Sequence, residues 1–138
     1  YLIADRRTPF LLNAALFVPP PLDMPAMKQA ARYLTGRHDF SAFCAAGSSV
    51  KDRIRTVMRI SFSRHRFILD PSVHLLAIEI EADGFLYKMA RNIAATLIAV
   101  GRGRIPPGRI PEILAAGNRT AVPPTAPAYA LYLKEVNY

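Results

Sequence analysis

Two alternating stretches followed by one long apolar helical run predict an α+β domain: an antiparallel sheet with helices packed on one face. From Arg53 to Ser63 apolar and polar residues alternate, and residues 74 to 82 alternate again, the period of half-buried strands. From Leu86 to Val100 the apolar residues fall on nearly every side of a helix, which is the pattern of a core element. All 138 residues are read as one domain.

Tyr1 to Ala4 reads as a strand that begins without any run-in, and the chain is expected to be a piece of something longer. Arg6-Arg-Thr-Pro9 predicts a turn, and Leu11 to Val18 a second strand stopped by Pro19-Pro-Pro21. Asp23 is a helix N-cap with Pro25 in the first turn; Met24, Met27, Ala31 and Leu34 keep helical spacing, and Gly36 closes the helix. His38 to Val50 is read as a loop with a Gly-Ser-Ser tip. In the next strand Ile54, Thr56, Met58, Ile60 and Phe62 are expected to face the core, with Arg53, Arg55, Arg59 and Ser61 outward. A short connection around Asp70-Pro71 leads to a strand with Leu76, Ile78 and Ile80 on one side and Glu79 and Glu81 on the other. The apolar helix ends with Gly101 as its C-cap. Pro106-Pro107 starts a shorter helix running through Leu114, which Gly117 ends. Ala121 to Pro127 is a loop, and Leu131 to Tyr138 a closing strand.

Composition removes several function classes. Cys44 is the only cysteine, so a disulfide framework is excluded and a reducing cytoplasmic setting is the natural expectation. His38, His65 and His74 show no ligand spacing with Cys44 or with each other, so no metal is expected. No apolar run is long enough to span a membrane, and the first residues read as a strand rather than a leader. His38-Asp39 with Ser41 or Ser48 has no elbow around either serine, which argues against a hydrolase triad.

Charge points the other way, toward a polyanion. The net charge is +8, and eleven of the eighteen Lys and Arg residues lie between Lys51 and Arg109. A solvated surface normally mixes both signs, so clustered cations indicate nucleic acid. Arg53, Arg55 and Arg59 on one strand face, with Arg102 and Arg104 in the Gly101-Arg-Gly-Arg104 turn, are the candidate RNA-binding residues. Each also has a plainer reading, as a solvated face or a basic helix cap. Arg91 stands apart. It lies in the middle of the apolar helix, flanked one turn away by Tyr87, Ala94 and Ala95, with no acid within a turn. A buried guanidinium needs an anion, which comes from elsewhere in the fold, from a ligand, or from another chain.

Gly84-Phe-Leu-Tyr-Lys-Met-Ala-Arg-Asn-Ile-Ala-Ala-Thr-Leu97, followed by Val100-Gly-Arg-Gly103, resembles the motif F-L-x-H-M-V-R-N-I-x-G-T-L then V-G-x-G of the TruA family of tRNA pseudouridine synthases. Three further segments fit in order. Leu34 to Cys44 is similar to the family's G-x-H-D-F-x-S-F segment, and Lys51 to Val57 to its K-x-x-x-R-T-I strand. Arg119-Thr with Pro124-Thr-Ala-Pro127 and Leu131-Tyr-Leu133 resembles its ending. The resemblance implies the ferredoxin-like half of the pseudouridine synthase fold. It also implies isomerisation of uridine to pseudouridine in the anticodon stem and loop of tRNA, without metal or organic cofactor, by a homodimer. In that chemistry an aspartate attacks the nucleotide, the glycosidic bond breaks, and the base rotates and rejoins through carbon, having first left the stack. Arg91 then matches the counter-ion of the catalytic aspartate. Leu131 matches the apolar residue lining the uridine pocket, and Lys88 and Asn92 fall at substrate-binding positions.

Some positions depart from the family pattern. Lys88 stands where histidine is usual, and Ala95 and Ala130 replace glycines. The nucleophile's G-R-T-D-A-G-V segment has no counterpart: Asp5, Asp23, Asp39, Asp52, Asp70 and Asp83 all lack a preceding Arg-Thr pair. Tyr1-Leu-Ile resembles the tail of the Y-R-Y-x-I strand, which places the catalytic tyrosine just before this chain. The expectation is therefore a C-terminal domain, inactive alone, that supplies RNA surface and part of a uridine pocket. The rival readings are a non-catalytic RNA-binding module with a ferredoxin-like sheet, and an assembly domain pairing through its first strand.

Overall fold

The computed structural model describes residues 1–138 and contains a mixed, open five-stranded sheet with three α-helices, an α+β fold. In chain order the elements are β1 (Leu2–Ala4), β2 (Leu16–Phe17), α1 (Met24–Leu34), β3 (Gly36–Asp39), β4 (Ile54–Phe67), β5 (Asp70–Ala82), α2 (Met89–Gly101) and α3 (Ile110–Ala116). The sheet order is β2-β1-β5-β4-β3. The chain divides into two compact units. One holds Tyr1–Pro20, Phe62–Ile78 and Pro127–Tyr138; the other holds Pro21–Ser61 and Glu79–Ala126.

In the first unit β1 pairs antiparallel with β5, Ile3 opposite Leu76 and Ala4 opposite Leu75. Alternation then sorts the side chains. Ile3 and Leu76 share one face and are buried. Ala4 lies on the other, in a cluster with Leu11, Ala15 and Val73 against which Leu2, Phe67 and Leu75 pack. The expected second strand, Leu11 to Val18, shrinks to Leu16–Phe17 and pairs parallel with β1, so the sheet is not wholly antiparallel. Leu11 instead ends a 3-10 turn, Pro9–Leu11. That turn drops Leu11 onto the sheet as a plug, a burial that a strand at the edge would not have given it. The closing strand expected over residues 131–138 is also absent. Ala128–Ala130 is a 3-10 turn, and the residues after it have no regular structure and are exposed. Their alternation is a strand pattern without a ladder to join.

The second unit is built around α1 and α2. Asp23 caps α1 as expected, its Oδ1 accepting from the Ala26 N–H at 3.0 Å. Met27, Ala30, Ala31 and Leu34 form the buried stripe of α1. Thr35 rather than Gly36 follows the last turn of α1, and Gly36 opens β3, which takes in His38 and Asp39 from the expected loop and pairs antiparallel with β4, Gly36 opposite Val57 and Asp39 opposite Ile54. The polarity of Arg37 and Asp39 hid this strand, because both are exposed.

The long β4–β5 hairpin turns at Ile68 and Leu69, not at Asp70-Pro71, which already belong to β5. The facing predicted for the start of β4 is inverted. Val57 is fully buried, whereas Ile54 is 39% and Met58 48% exposed. Arg53 and Arg55, on the face of Val57, are half-buried, as long aliphatic stems allow. In β5 the expected side holds: Leu76 and Ile78 are buried and Glu81 is exposed.

Helix α2 starts three residues later than its apolar pattern and runs through Gly101. Gly101 is not its cap. The left-handed residue is Gly103, at φ +75°, and the Arg104 N–H reaches the Ala99 carbonyl at 2.9 Å across it. Gly101 serves a different end. A Cβ there would lie 2.6 Å from Met27 Sδ and 3.1 Å from Leu22 Cδ2, and the Asp23 N–H donates to the Gly101 carbonyl at 2.8 Å. Gly101→Ala is therefore expected to destabilise the protein. Overpacking costs about 1–3 kcal/mol, against a helix-propensity gain of up to about 1 kcal/mol. A thermal melt unchanged or raised by the substitution would show that Met27 can yield freely. Gly117 closes α3 at φ +63°, as expected.

Candidate functional site

The α2 helix is not apolar on every side. Lys88, Arg91 and Ala95 are half-buried and mark one open stripe at three- and four-residue spacing, while Met89, Asn92, Ile93 and Thr96 are sealed. Lys88 precedes the helix in the left-handed region, at φ +59°, an unusual conformation for a residue with a Cβ. It is held there by its neighbours. The Asn92 N–H donates to the Lys88 carbonyl at 3.0 Å, and the Ala45 N–H to the Tyr87 carbonyl at 3.0 Å. The Lys88 ammonium lies 5.1 Å from the centroid of the exposed Tyr87 ring.

Arg91 opens onto this stripe. Its Nε donates to the Ala126 carbonyl at 2.8 Å. No carboxylate of the same unit pairs with it, so both terminal nitrogens remain for a further acceptor. The arginine is thus half-buried and oriented, rather than sealed in apolar packing. The full burial that its sequence neighbours imply is corrected by the small side chain of Ala95 one turn on, which leaves that side of the helix uncovered.

Asn92, the next residue, points the other way and is fully buried. Its Nδ2 donates to the Phe43 carbonyl at 2.7 Å. Its Oδ1 accepts from Thr125 Oγ1 at 2.7 Å and from Arg119 Nη2 at 3.2 Å. Arg119 also donates to the Val122 carbonyl at 2.9 Å and to Thr125 Oγ1 at 3.2 Å. Thr96 is buried as well and returns its hydroxyl to the Asn92 carbonyl at 2.9 Å. Asn92, which the resemblance places at a substrate-binding position, has no exposed surface here, and both ends of its amide are bonded to protein. Every buried side-chain polar atom has a partner, as a low-dielectric interior requires.

A family profile described as tRNA pseudouridine synthase matches residues 30–138, well over half of the chain. The chain belongs to the tRNA pseudouridine synthase family. It is 44% identical to the tRNA pseudouridine synthase A of Bacillus licheniformis over 140 residues, covering 100% of this chain and 54% of that protein. It is 39% identical to the tRNA pseudouridine synthase A of Streptococcus equi subsp. zooepidemicus, covering 99% of this chain and 53% of that protein. With that of Streptococcus agalactiae the identity is 40%, over 99% and 51%. The chain spans about half the length of the curated relatives it matches.

In this tRNA pseudouridine synthase family member, three of the four segments that carried the resemblance converge on Asn92: 34–44 through Phe43, 84–103 through α2, and 119–127 through Arg119 and Thr125. The fourth, 51–57, is tied to the residues before α2. The Thr56 N–H donates to Asp83 Oδ1 at 2.9 Å, and the Asp83 N–H to the Thr56 carbonyl at 3.0 Å. Arg119 and Thr125 lie within the segments that carry the resemblance, but nothing in the local sequence assigns them a role. Their side chains meet Asn92 from 27 and 33 residues away, a separation that no local pattern reveals.

The other expected site residues are scattered. Leu131 belongs to the first unit, is 38% exposed, and closes the 128–130 turn through its N–H to the Ala128 carbonyl. Of the candidate RNA-binding arginines, Arg53 and Arg55 spend donors on nearby carbonyls, Val50 for the first and Asp52 and Ile54 for the second. Arg59 pairs with Glu81 at 3.4 Å, an exposed contact of little energetic weight. Arg102 and Arg104 are exposed at the end of α2. The arginine face of β4 is therefore partly occupied by its own strand, and the turn after α2 offers the less encumbered cations.

The His38-Asp39 pair does not form a catalytic unit. An open hollow of about 420 Å³ is lined by Tyr33, His38, Asp39, Pro111, Leu114 and Ala115. The His38 ring bonds the Thr35 carbonyl, and Asp39 accepts from the hydroxyl and the N–H of Ser41. Those bonds hold the Asp39 carboxyl below its ordinary range, the side chain of Ser41 first and its backbone second, so it serves as a turn cap and not as a base. No group of three or more His, Cys, Asp or Glu residues is placed to hold a metal ion, and no helix is long and apolar enough to cross a membrane.

Proposed function

We propose that this chain is part of a tRNA pseudouridine synthase that isomerises uridine to pseudouridine in the anticodon stem and loop of tRNA. Arg91 is the counter-ion of a nucleophilic aspartate supplied from outside residues 1–138. The observation that carries the reading is the half-buried Arg91 guanidinium, fixed through Nε and unpaired with any acid of its unit. Two facts support an acid from elsewhere: no aspartate here follows an Arg-Thr pair, and the chain spans about half of its relatives' length. A guanidinium at hydrogen-bonding distance favours the ionised form of a carboxyl, which keeps it nucleophilic at neutral pH. Attack on the nucleotide, cleavage of the glycosidic bond, rotation of the base and rejoining through carbon need no metal and no organic cofactor. Leu131 contributes an apolar wall to the uridine pocket, and Lys88 an RNA contact.

A flipped uridine has to be held by its flanking phosphates. Arg102 and Arg104 are the first choice for this grip, with Arg53, Arg55 and Arg59 behind them. The working protein is a cytoplasmic homodimer. Tritium release from tRNA labelled at uridine C5 tests the reading directly. The full-length protein is expected to release tritium, and residues 1–138 alone are expected to release none. Turnover by the 138 residues alone would place the nucleophile within them and overturn the proposal. No release by the full-length protein would leave the chain as a non-catalytic RNA-binding module.

A further inference from the structure

The geometry points to Arg119 and Thr125 as positioning residues for Arg91, a role that rests on the counter-ion function just proposed. Arg91 gives its Nε–H to the Ala126 carbonyl. With that edge engaged, the guanidinium plane is set, and the two terminal nitrogens present a parallel pair of N–H groups to a carboxylate. The direction of the pair therefore depends on one backbone oxygen. That oxygen sits in a connecting segment of 3-10 turns, prolines and irregular backbone, the kind that wanders unless it is tied down.

Arg119 and Thr125 tie it down. Arg119 folds back over its own segment and bonds the Val122 carbonyl and the Thr125 hydroxyl. The Thr125 hydroxyl donates to Asn92 Oδ1, which also accepts from Arg119. Asn92 is fully buried and adjoins Arg91 in the same helix. The Ala126 carbonyl, one residue beyond Thr125, is thus registered against the very turn of α2 that carries the arginine it orients. Arg119 itself is not the counter-ion, since its donors are directed at neutral oxygens within the network.

The test uses the full-length protein and a double-mutant cycle. Thr125→Val keeps the side-chain shape and removes the hydroxyl; Thr125→Ser restores the hydroxyl. Thr125→Val is expected to lower kcat for tritium release about tenfold, the scale of a sub-ångström misplacement at a reacting group. KM for tRNA should stay unchanged, and Thr125→Ser should recover most of the loss. In an Arg91→Lys background, where no Nε is available to the Ala126 carbonyl, Thr125→Val should cost nothing further. An equal loss in both backgrounds would show that the network acts independently of Arg91 and would overturn the inference. So would an unchanged kcat for Thr125→Val, or a loss that Thr125→Ser fails to recover. Full activity of Arg91→Lys alone would show that the oriented guanidinium is not needed and would overturn the positioning role, whereas full activity of Arg91→Ala would remove the counter-ion role on which it rests.

Discussion

Asn92→Leu is expected to destabilise the protein by about 3–5 kcal/mol, a large share of the roughly 5–15 kcal/mol that holds a domain of this size together. The substitution strands three groups at once: the Phe43 carbonyl, the Thr125 hydroxyl and one arm of Arg119. Each unsatisfied buried group costs about 1–3 kcal/mol, and the added apolar contact of leucine recovers only part of that. Asn92→Asp provides the contrast. It keeps the acceptors for Arg119 and Thr125 but turns a carboxylate oxygen toward the Phe43 carbonyl in a fully buried position, so its cost should be about 1–3 kcal/mol, held down by the Arg119 guanidinium beside it. Urea midpoints of the two variants decide the matter. A leucine variant within about 1 kcal/mol of the parent would mean that the 119–126 segment repacks without its anchor.

Arg91→Ala in the full-length protein is expected to lower kcat on the order of 10²–10³-fold, the range seen when one charge-stabilising group is taken from a reacting centre. The stability should fall by no more than about 1–3 kcal/mol, the cost of leaving the Ala126 carbonyl without its donor, which is too little to unfold the domain. Loss of activity with an intact fold is the signature that separates a counter-ion from a structural arginine. Arg91→Lys should recover little, since an ammonium cannot bond Ala126 and a carboxylate in the fixed fork of a guanidinium. Single-turnover assays on labelled tRNA with circular dichroism on the same samples measure both quantities. An Arg91→Ala variant that is inactive because it is unfolded would return the residue to a merely structural part.

Much of this was legible in the chain itself. Helix α1 follows from Asp23, Pro25 and the spacing of Met27, Ala31 and Leu34, because capping and amphipathicity are local properties. The hairpin follows from alternation, although its turn moved to Ile68-Leu69. The singular place of Arg91 was visible from its apolar neighbours alone. What failed did so for identifiable reasons. A count of apolar residues along β4 points to the wrong inward face. Ile54 and Met58 outnumber Val57, but the sheet exposes the first two and buries the third. β3 is hard to read from the chain because an edge strand of four residues with two exposed polar side chains has no apolar stripe to announce it. Gly101 has the position of a cap, but the sequence shows where glycines lie and not whether they supply a turn or a gap. It supplies the gap that admits Met27, while Gly103 makes the turn.

The helices, the hairpin, the positive charge and the isolated arginine can be read along the chain, since each depends on spacing or composition over a short stretch. What surrounds that arginine emerges on folding. Asn92 lies beside it in sequence yet points away into the core, where it meets Phe43 from 49 residues before and Thr125 from 33 residues after. A helix turns each successive residue by about 100°, so neighbours in sequence face different environments. Which environment each one meets is set by segments that the chain brings back only on folding.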